Sequence, residues 1–326
     1  MERQHNAQRQ SFAQNMKHAK VYIIVLNYLH WEDTLECVQS LQKLVYAGEV
    51  EIVVVDNHSQ NNSLENIQHR LVNTPCPYSV HYVGLYTNGG FAKGNNAGLH
   101  LALQKRDGAY FWVLNNDTTV ESASLEHLVL QAESDKKQQN RIGLYGTKLR
   151  YYASPEKLQA VGGIYNKWFA TLKEKGNLEV DKGQYDEDRY PNVLVGASLF
   201  ATKDFLNEVG LLGEDYFIYF EEEDWAERAR RRDWGMCVVT ESIVYHKQGI
   251  ATQANGLNNN HKSRFSDFYY FRNRLRVTAR FFPYCLPTVY LSFVFIALNR
   301  IRRKQWDRLS LIVYLMFHFR TAEWEG

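Results

Sequence analysis

Cysteine is scarce in this sequence of 326 residues, and the few that occur are widely scattered. There are four, with no C-x-x-C pair among them: Cys37, Cys76, Cys237 and Cys285. This scarcity excludes a disulfide scaffold and a zinc ribbon, and it favours a reducing compartment, the cytoplasm. The first twenty residues are polar and lack an apolar h-region, so no secretory signal is predicted and residues 1–19 are expected to form a mobile tail.

A strong excess of charge of either sign is also lacking. The 38 Lys and Arg residues against 36 Asp and Glu residues leave a net charge of +2, which argues against a nucleic-acid partner. With 23% charged and 45% hydrophobic residues, the composition is that of a folded chain. The length is enough for one large or two modest domains with a sizeable core.

Four common catalytic motifs are absent. No G-x-G-x-x-G follows the first strand-like run, and G-x-x-x-x-G-K-[ST], H-E-x-x-H and G-x-S-x-G do not occur. Dinucleotide-binding, P-loop, zincin and hydrolase assignments therefore lose their usual support. Any nucleotide site must be of another kind.

Short β-branched runs alternate with helix-like segments from residue 21 onward. Such runs are typical of strands that are buried on both faces of a parallel sheet. The predicted strands are 21–26, 51–56, 79–84 and 110–115. This is a βαβαβ pattern, in which ligands bind at the carboxyl ends of the strands. The stretch 145–200 is rich in glycine and tyrosine and predicts a small mixed sheet as the second wall of a cleft.

Polar or glycine-rich residues follow two of these strands. Asp56 ends the second strand, where a carboxylate can accept hydrogen bonds from a nucleobase or a ribose, or simply from an Asx-turn. Gly89 and Gly90 precede a helix-like segment and allow the backbone and the helix start to approach a diphosphate. The alternative is a glycine-rich loop beside a close helix crossing.

Asn115 and Asp117 follow the strand 110–115. At i and i+2 on an extended segment their side chains project to the same side, where oxygen ligands suit Mg²⁺ or Mn²⁺. The alternative is a turn in which Asp117 or Thr118 caps the next helix. Downstream, His246 follows a strand-like segment, and a lone histidine there is more often structural than ligating.

Four acids stand together at residues 221–224, and arginines follow them. The helix dipole favours this arrangement without any function. The functional interpretation is that one of the acids projects into the cleft as a general base. Spacing alone leaves both interpretations open.

The C-terminal region, 263–326, is predicted to be basic, amphipathic and helical. Residues 262–308 contain eleven Lys or Arg residues and two Asp residues, and the basic residues lie on both sides of the apolar stretch 281–298. This pattern favours a helical pair docked at an anionic membrane surface. A membrane span, a buried helix and a homodimer contact are the alternatives.

Six stretches, in order and covering residues 20–250, resemble a family 2 glycosyltransferase of the rhamnosyltransferase-like branch that builds bacterial polysaccharides, including lipopolysaccharide. They are VYIIVLNY, VVVDNHS, NGGFAKGNNAGL, VLNNDT, the stretch from VGASLF to WGMCVV, and SIVYHKQG. The resemblance implies the α/β GT-A fold, a Rossmann-like, mostly parallel sheet flanked by helices, with a small mixed sheet and C-terminal helices. The catalytic domain is then expected at residues 20–262.

The resemblance also implies roles for particular residues. The implied donor-binding residues are Leu26, Asn27, Asp56, Asn88, Gly89, Gly90, Phe91, Gly94, Asn95, Asn115 and Asn116. The implied ligands of Mg²⁺ or Mn²⁺ are Asn115, Asp117 and His246, with Asn115 where the family has an acid. The implied general base is Glu222, with Asp224 as the alternative. Substrate contacts are expected at Gly196, Ala197 and Glu221, and sugar stacking or core packing at Trp168 and Trp225.

The implied reaction is a single displacement with inversion. A sugar passes from a nucleoside diphosphate, dTDP-rhamnose or a UDP-sugar, to a hydroxyl of a bacterial surface glycan or a lipid-linked acceptor. The enzyme is expected in the cytoplasm, on the inner face of the cell membrane. The alternatives are a nucleotidyltransferase and a non-catalytic, membrane-docked subunit that binds nucleotide sugars.

Overall fold

The structure is a computed structural model that describes residues 18–74, 76–247 and 263–324. The tail predicted at residues 1–19 therefore lies almost entirely outside the described residues. Within them the strands are β1 Val21–Asn27, β2 Val50–Asp56, β3 Ser79–Gly84, β4 Tyr110–Asn115, β5 Thr118–Val120, β6 Ile142–Tyr151, β7 Ser154–Ala160, β8 Gly163–Asn166, β9 Thr171–Glu174, β10 Ser198–Thr202 and β11 Gly235–His246. The four strands predicted from the apolar runs are present.

The main sheet has the strand order β3-β2-β1-β4-β10-β6-β11-β5, with β7 added on β6. Strands β3, β2, β1 and β4 are parallel. Strand β10 is antiparallel to both β4 and β6, and β11 is parallel to β6, so β6 and β11 run in the same direction as β4. The carboxyl ends of β1, β2, β4, β6 and β11 consequently share one edge of the sheet.

The helices of the described chain are α1 Trp31–Leu41, α2 Ser63–Val72, α3 Gly90–Gln104, α4 Ser124–Lys137, α5 Lys203–Val209, α6 Glu221–Arg230, α7 Arg264–Phe281, α8 Leu286–Arg302 and α9 Trp306–His318. They cover both faces of the sheet. Alternate residues of β1 show this, since Ile24 belongs to one core with α3 and the C-terminal helices, and Ile23 to the other with α1 and α4. Such double burial explains the uninterrupted apolar runs.

The small second sheet is an antiparallel pair of β8 and β9. The loop between β8 and β9 contacts the C-terminal region. The Thr288 hydroxyl donates to the Trp168 carbonyl, and the Trp168 ring packs against Tyr284. The chain has the expected α/β architecture with a mostly parallel sheet, a small second sheet and C-terminal helices, but the small sheet is antiparallel and not mixed, because β6 and β7 join the main sheet.

The C-terminal helices differ in their burial. Most of α7 is buried, whereas α8 buries only Val289 and Phe293. Among the described residues, Pro283–Arg302 is the one helical stretch with the length and composition of a membrane span, and 17% of its apolar window is buried. Length and composition are the only grounds for considering a span there.

Candidate active site

A hydrogen-bonded chain of polar side chains joins the ends of β1 and β2. Asn27 Nδ2 donates to Asp56 Oδ1 at 2.6 Å, and Asp56 Oδ2 accepts from the Ser59 N–H at 2.8 Å. The Thr34 hydroxyl donates to Asn27 Oδ1 at 2.7 Å and accepts from Asn116 Nδ2 at 3.0 Å. Asp56 is thus fixed at the strand-end edge, while Asn116 turns back towards the start of α1.

The glycine loop before α3 is organised by one asparagine side chain. Asn57 Nδ2 donates to Asn88 Oδ1 at 2.9 Å and to the Gly90 carbonyl at 3.1 Å, and Asn57 Oδ1 accepts from the Gly89 N–H at 3.1 Å. Gly90 has a φ of +81°, and a Cβ there would collide with the Phe217 carbonyl. Glycine is required at this position by both conformation and space.

The start of α3 packs against β1 and the 217 loop. The Phe91 N–H donates to the Phe217 carbonyl at 2.6 Å, and a Cβ on Gly94 would overlap the Leu26 side chain. Asn95 is fully buried, and its Nδ2 donates to the Phe91 carbonyl at 3.0 Å.

The N–H groups predicted to face a diphosphate have partners within the protein. Asn57 Oδ1 accepts a hydrogen bond from the Gly89 N–H, and Asn88 Oδ1 accepts one from the Gly90 N–H at 2.9 Å. The Phe217 carbonyl accepts one from the Phe91 N–H. In this arrangement the three N–H groups of the loop are hydrogen-bonded within the protein and are not free to bind a diphosphate.

Asp117 and His246 meet where β5 pairs with the end of β11. His246 Nε2 lies 3.1 Å from Asp117 Oδ1, and both side chains are buried. His246 Nδ1 donates to Gln159 Oε1 at 2.9 Å. Asn115, the last residue of β4, is held through its N–H, which donates to the Ala197 carbonyl at 3.0 Å.

This pair fits a divalent cation by the chemistry of its donors. Gln159 Oε1 accepts a hydrogen bond from Nδ1 of His246, which leaves Nε2 on the side of the Asp117 carboxylate, and an imidazole nitrogen beside a carboxylate is a donor set that suits a divalent cation. Adjacent ligands of an octahedral Mg²⁺ or Mn²⁺ ion lie roughly 3 Å apart. The described residues contain no cluster of three or more His, Cys, Asp or Glu side chains, so an ion held by this pair needs further ligands, for which Asn115 is the candidate predicted from the sequence.

Glu222 faces the strand-end edge from the first turn of α6. Its Oε1 accepts from the Gly196 N–H at 3.1 Å, two residues before β10 begins beside the end of β4. Burial raises the pKa of Glu222 above its usual value, while the backbone N–H groups of Glu222 and Gly196 oppose that rise. A carboxylate with a raised pKa and an oriented oxygen is suited to accept a proton from a hydroxyl.

The flanking glutamates are more deeply buried than Glu222. Glu221 and Glu223 are buried, with exposures of 1% and 4%. Burial is the main cause that raises the pKa of both side chains, to about 8 for Glu223. Because both flanking side chains are more buried than that of Glu222, Glu222 is the most accessible acid of the first turn.

Asp224 lies in a buried ion-pair cluster. It is fully buried, its Oδ1 accepts from Arg228 Nε, and its Oδ2 lies 3.1 Å from Arg280 and accepts from the Tyr216 hydroxyl at 3.0 Å. Both oxygens are thus used in holding α6 to its neighbours. Trp225 is also fully buried, donates to the Gly210 carbonyl and packs against Phe205, whereas Trp168 is 48% exposed beside Tyr284.

Helix α7 holds the strained loop that leads into α6. Phe217, Tyr219 and Phe220 all have positive φ values, of 69°, 70° and 77°. The fully buried Asn273 donates through Nδ2 to the carbonyls of Tyr216, Ile218 and Tyr219, at 2.8 to 2.9 Å. These bonds offset the cost of left-handed backbone at bulky residues and thereby set where Glu222 lies.

Three positioning residues lie outside the set predicted from the sequence. Asn57 had a signal, since it directly follows Asp56 at a strand end. No sequence signal marked Gln159 or Asn273. Gln159 lies in a glycine- and tyrosine-rich stretch and Asn273 in a basic helix, and each hydrogen-bonds a partner more than fifty residues away.

Sequence comparison finds a family match in the N-terminal part of the chain. Residues 21–178 match the family model described as "Glycosyl transferase family 2". The chain is also similar to the low-salt glycan biosynthesis hexosyltransferase Agl10 of Haloferax volcanii, with 24% identity over 233 residues, 70% of this chain and 67% of that protein.

Solved structures share the fold. Mannosyltransferase PcManGT from Pyrobaculum calidifontis, in complex with GDP-Man and Mn²⁺, has a TM-score of 0.52 and 12% identity, covering 96% of this chain and 93% of that one. S. aureus TarS 1-349 in complex with UDP-GlcNAc has a TM-score of 0.51 and 15% identity, covering 94% and 93%. The chain is therefore a glycosyltransferase with the GT-A fold, and its residues 21–178 match the glycosyl transferase family 2 model.

Proposed function

We propose that this glycosyltransferase moves a sugar, with inversion, from a nucleoside-diphosphate donor to an acceptor hydroxyl. The observation that carries the proposal is the Glu222 carboxylate, oriented by the Gly196 N–H at the edge of the sheet that also bears Asp56 and the Asp117–His246 pair. The proposed base, nucleoside contact and metal pair thus lie along the same edge of the sheet.

The donor binds at the ends of β1 and β2. Asn27, itself fully buried, fixes the Asp56 carboxylate, and a carboxylate accepts hydrogen bonds from a ribose or a base N–H. In support, the fold neighbours PcManGT and TarS are complexes with GDP-Man and UDP-GlcNAc. dTDP-rhamnose is the first donor to test, followed by UDP-sugars.

Asp117, His246 and Asn115 hold Mg²⁺ or Mn²⁺ together with the donor diphosphate. The ion, when bound, supplies positive charge for the leaving diphosphate. Gln159 Oε1 accepts a hydrogen bond from Nδ1 of His246, so Nε2 is available as a ligand. The PcManGT complex, which contains Mn²⁺, supports the choice of ion.

Glu222 takes the proton of the acceptor hydroxyl as the oxygen attacks the anomeric carbon from the face opposite the diphosphate. The Gly196 N–H fixes one carboxylate oxygen and leaves the other for the hydroxyl. The raised pKa makes this carboxylate a stronger base than an exposed glutamate, which favours the proton transfer. Asp224 keeps α6 in place through its ion pairs.

The acceptor is a bacterial surface glycan or a lipid-linked saccharide at the cytoplasmic face of the cell membrane. The hexosyltransferase of glycan biosynthesis to which the chain is similar supports a glycan acceptor. The exposed apolar residues of α8 and the basic residues around it support a membrane-docked enzyme.

The test is donor binding and hydrolysis by the purified protein with a panel of dTDP- and UDP-sugars, with Mn²⁺, Mg²⁺ or EDTA. One donor is expected to bind and turn over in a manner that EDTA abolishes. Binding without turnover in the presence of every acceptor and metal would favour the non-catalytic, nucleotide-sugar-binding subunit. If no donor binds, the proposal is wrong.

A further inference from the structure

A basic pocket opens between α7, α8 and α9, away from the strand-end cleft. Its volume is about 710 Å³. It is lined by Asp267, Tyr270, Phe271, Arg274, Ile296, Asn299, Arg300, Arg303, Gln305 and Arg308. Four arginines against one aspartate leave a net charge of +3 on its walls, which suits an anion.

The deepest arginine has an unused donor. Arg274 is only 3% exposed, and its Nη2 donates to the Phe169 carbonyl and to the Ser292 hydroxyl. Its Nε is buried and has no hydrogen-bond partner among the described residues. A buried guanidinium N–H that lacks a partner is costly, and the positive charge of Arg274 adds to that of the pocket.

The charge of the other arginines is only partly compensated. Asp267 pairs with Arg308 at 3.0 Å and more loosely with Arg300 at 3.7 Å. Arg303, at the end of α8, is exposed and forms no ion pair within the described part of the chain. Among the described residues that line the pocket, one carboxylate therefore lies beside two of the four arginines.

The pocket adjoins an exposed apolar stripe on α8. This stripe consists of Leu291, Val294, Phe295, Leu298 and Ile301, which are 42–65% exposed and follow helical spacing along one face. The pocket-lining residues of α8 occupy the neighbouring face at its C-terminal end. An apolar surface that ends at a cationic pocket matches a lipid whose head carries phosphate.

The opposite wall touches the catalytic helix. The ring of Tyr270, which lines the pocket, lies 5.6 Å from the ring of Phe220, centroid to centroid. Phe220 immediately precedes Glu221 and Glu222 at the start of α6. The packed rings of Tyr270 and Phe220 thus lie between the pocket and α6, the helix that carries the proposed base.

We propose that this pocket binds the lipid-attached phosphate of a membrane-embedded saccharide acceptor, while the lipid chain lies along the apolar stripe of α8. The inference rests on the proposed function, because it names the chemistry of the acceptor for that site. The phosphate accepts hydrogen bonds from Arg300 and Arg303 beside the buried Arg274, and Tyr270 and Phe220 lie between this phosphate and α6.

The test measures vesicle binding by the full chain. Phosphatidylcholine vesicles contain either phosphatidic acid, whose head is a lipid-attached phosphate monoester, or phosphatidylserine at a matched zeta potential. The variants are Arg303→Gln, which alters the pocket, and Arg302→Gln, which removes the same charge from the adjacent exposed position outside it.

Wild type is expected to prefer the phosphatidic acid vesicles. Arg303→Gln should abolish this preference and weaken binding to phosphatidic acid at least about five-fold, whereas Arg302→Gln should weaken binding to both lipids equally, by about five-fold. Equal binding of wild type to both lipids, or indistinguishable variants, would overturn the inference. Displacement from the vesicles by inorganic phosphate at the same concentration as the lipid would overturn the lipid assignment.

Donor hydrolysis in the absence of vesicles separates this inference from the proposed function. If hydrolysis persists in both variants while the lipid preference is absent in wild type, only the pocket assignment fails. If no donor binds, the proposed function fails, whatever the vesicles show.

Discussion

The backbone N–H of Gly196 donates to Oε1 of Glu222 at 3.1 Å, and this one bond joins the central sheet to the first turn of α6. A Cβ at position 196 would stand within van der Waals overlap of the same carboxylate oxygen. Glycine thus permits the contact that fixes the proposed base, and the two residues act as a pair.

Gly196→Ala is expected to displace Glu222 without unfolding the protein, because the overlapping atom is the end of a flexible side chain. Turnover should fall at least about ten-fold, since general-base catalysis depends on hydrogen-bond geometry. Donor affinity should stay within about two-fold, because the nucleoside contacts at Asn27 and Asp56 are untouched. Kinetics and donor calorimetry on the same preparation check this. Unchanged turnover would show that the pair has no catalytic role.

The acid limb of kcat/KM is expected to lie above the ordinary glutamate pKa of 4.5, because burial raises the pKa of Glu222. A base must be ionised to act, so activity should be lost as the pH falls through this raised pKa and should rise above it. The measurement is a pH–rate profile at saturating metal. In Glu222→Gln the residual activity should lack this limb, and a limb that persists there would assign it to another group.

Gln159→Leu is expected to weaken Mn²⁺ affinity by about 10- to 100-fold, because the variant loses the acceptor that orients His246. Manganese electron paramagnetic resonance titration in the presence of a nucleoside diphosphate measures this without turnover. Gln104→Leu, at an exposed glutamine that ends α3, is the matched control and should leave the affinity unchanged. Equal affinities in the two variants would remove His246 from the metal site.

Asp224→Asn is expected to lower the free energy of unfolding by about 3 to 5 kcal/mol, because it leaves Arg228 and Arg280 without their buried partner. Asp215→Asn is the control, since Asp215 also pairs with Arg280 but its side chain is 74% exposed. That change should cost less than about 1 kcal/mol. Denaturant unfolding measures both. A stable Asp224→Asn variant that is catalytically dead would instead make Asp224 the base.

The features that depend on local sequence pattern were predicted, whereas those that depend on long-range packing were not. The β-branched runs at residues 21–26 and 51–56 predicted strands buried on both faces, and parallel strands must bring Asn27 and Asp56 to one edge. Helix periodicity could not choose between Glu222 and Asp224, because that choice depends on where α6 sits. Its position is set by Asn273, which holds the loop before α6 through contacts more than fifty residues apart in sequence.

The central claim is that Glu222 is the general base of sugar transfer, and a paired measurement on Glu222→Gln tests it most directly. Donor affinity by calorimetry and single-turnover transfer or hydrolysis are compared with wild type under the metal condition that supports donor binding. We expect unchanged affinity and a loss of roughly 100- to 10,000-fold in the turnover rate. Turnover within about two-fold of wild type would contradict the claim.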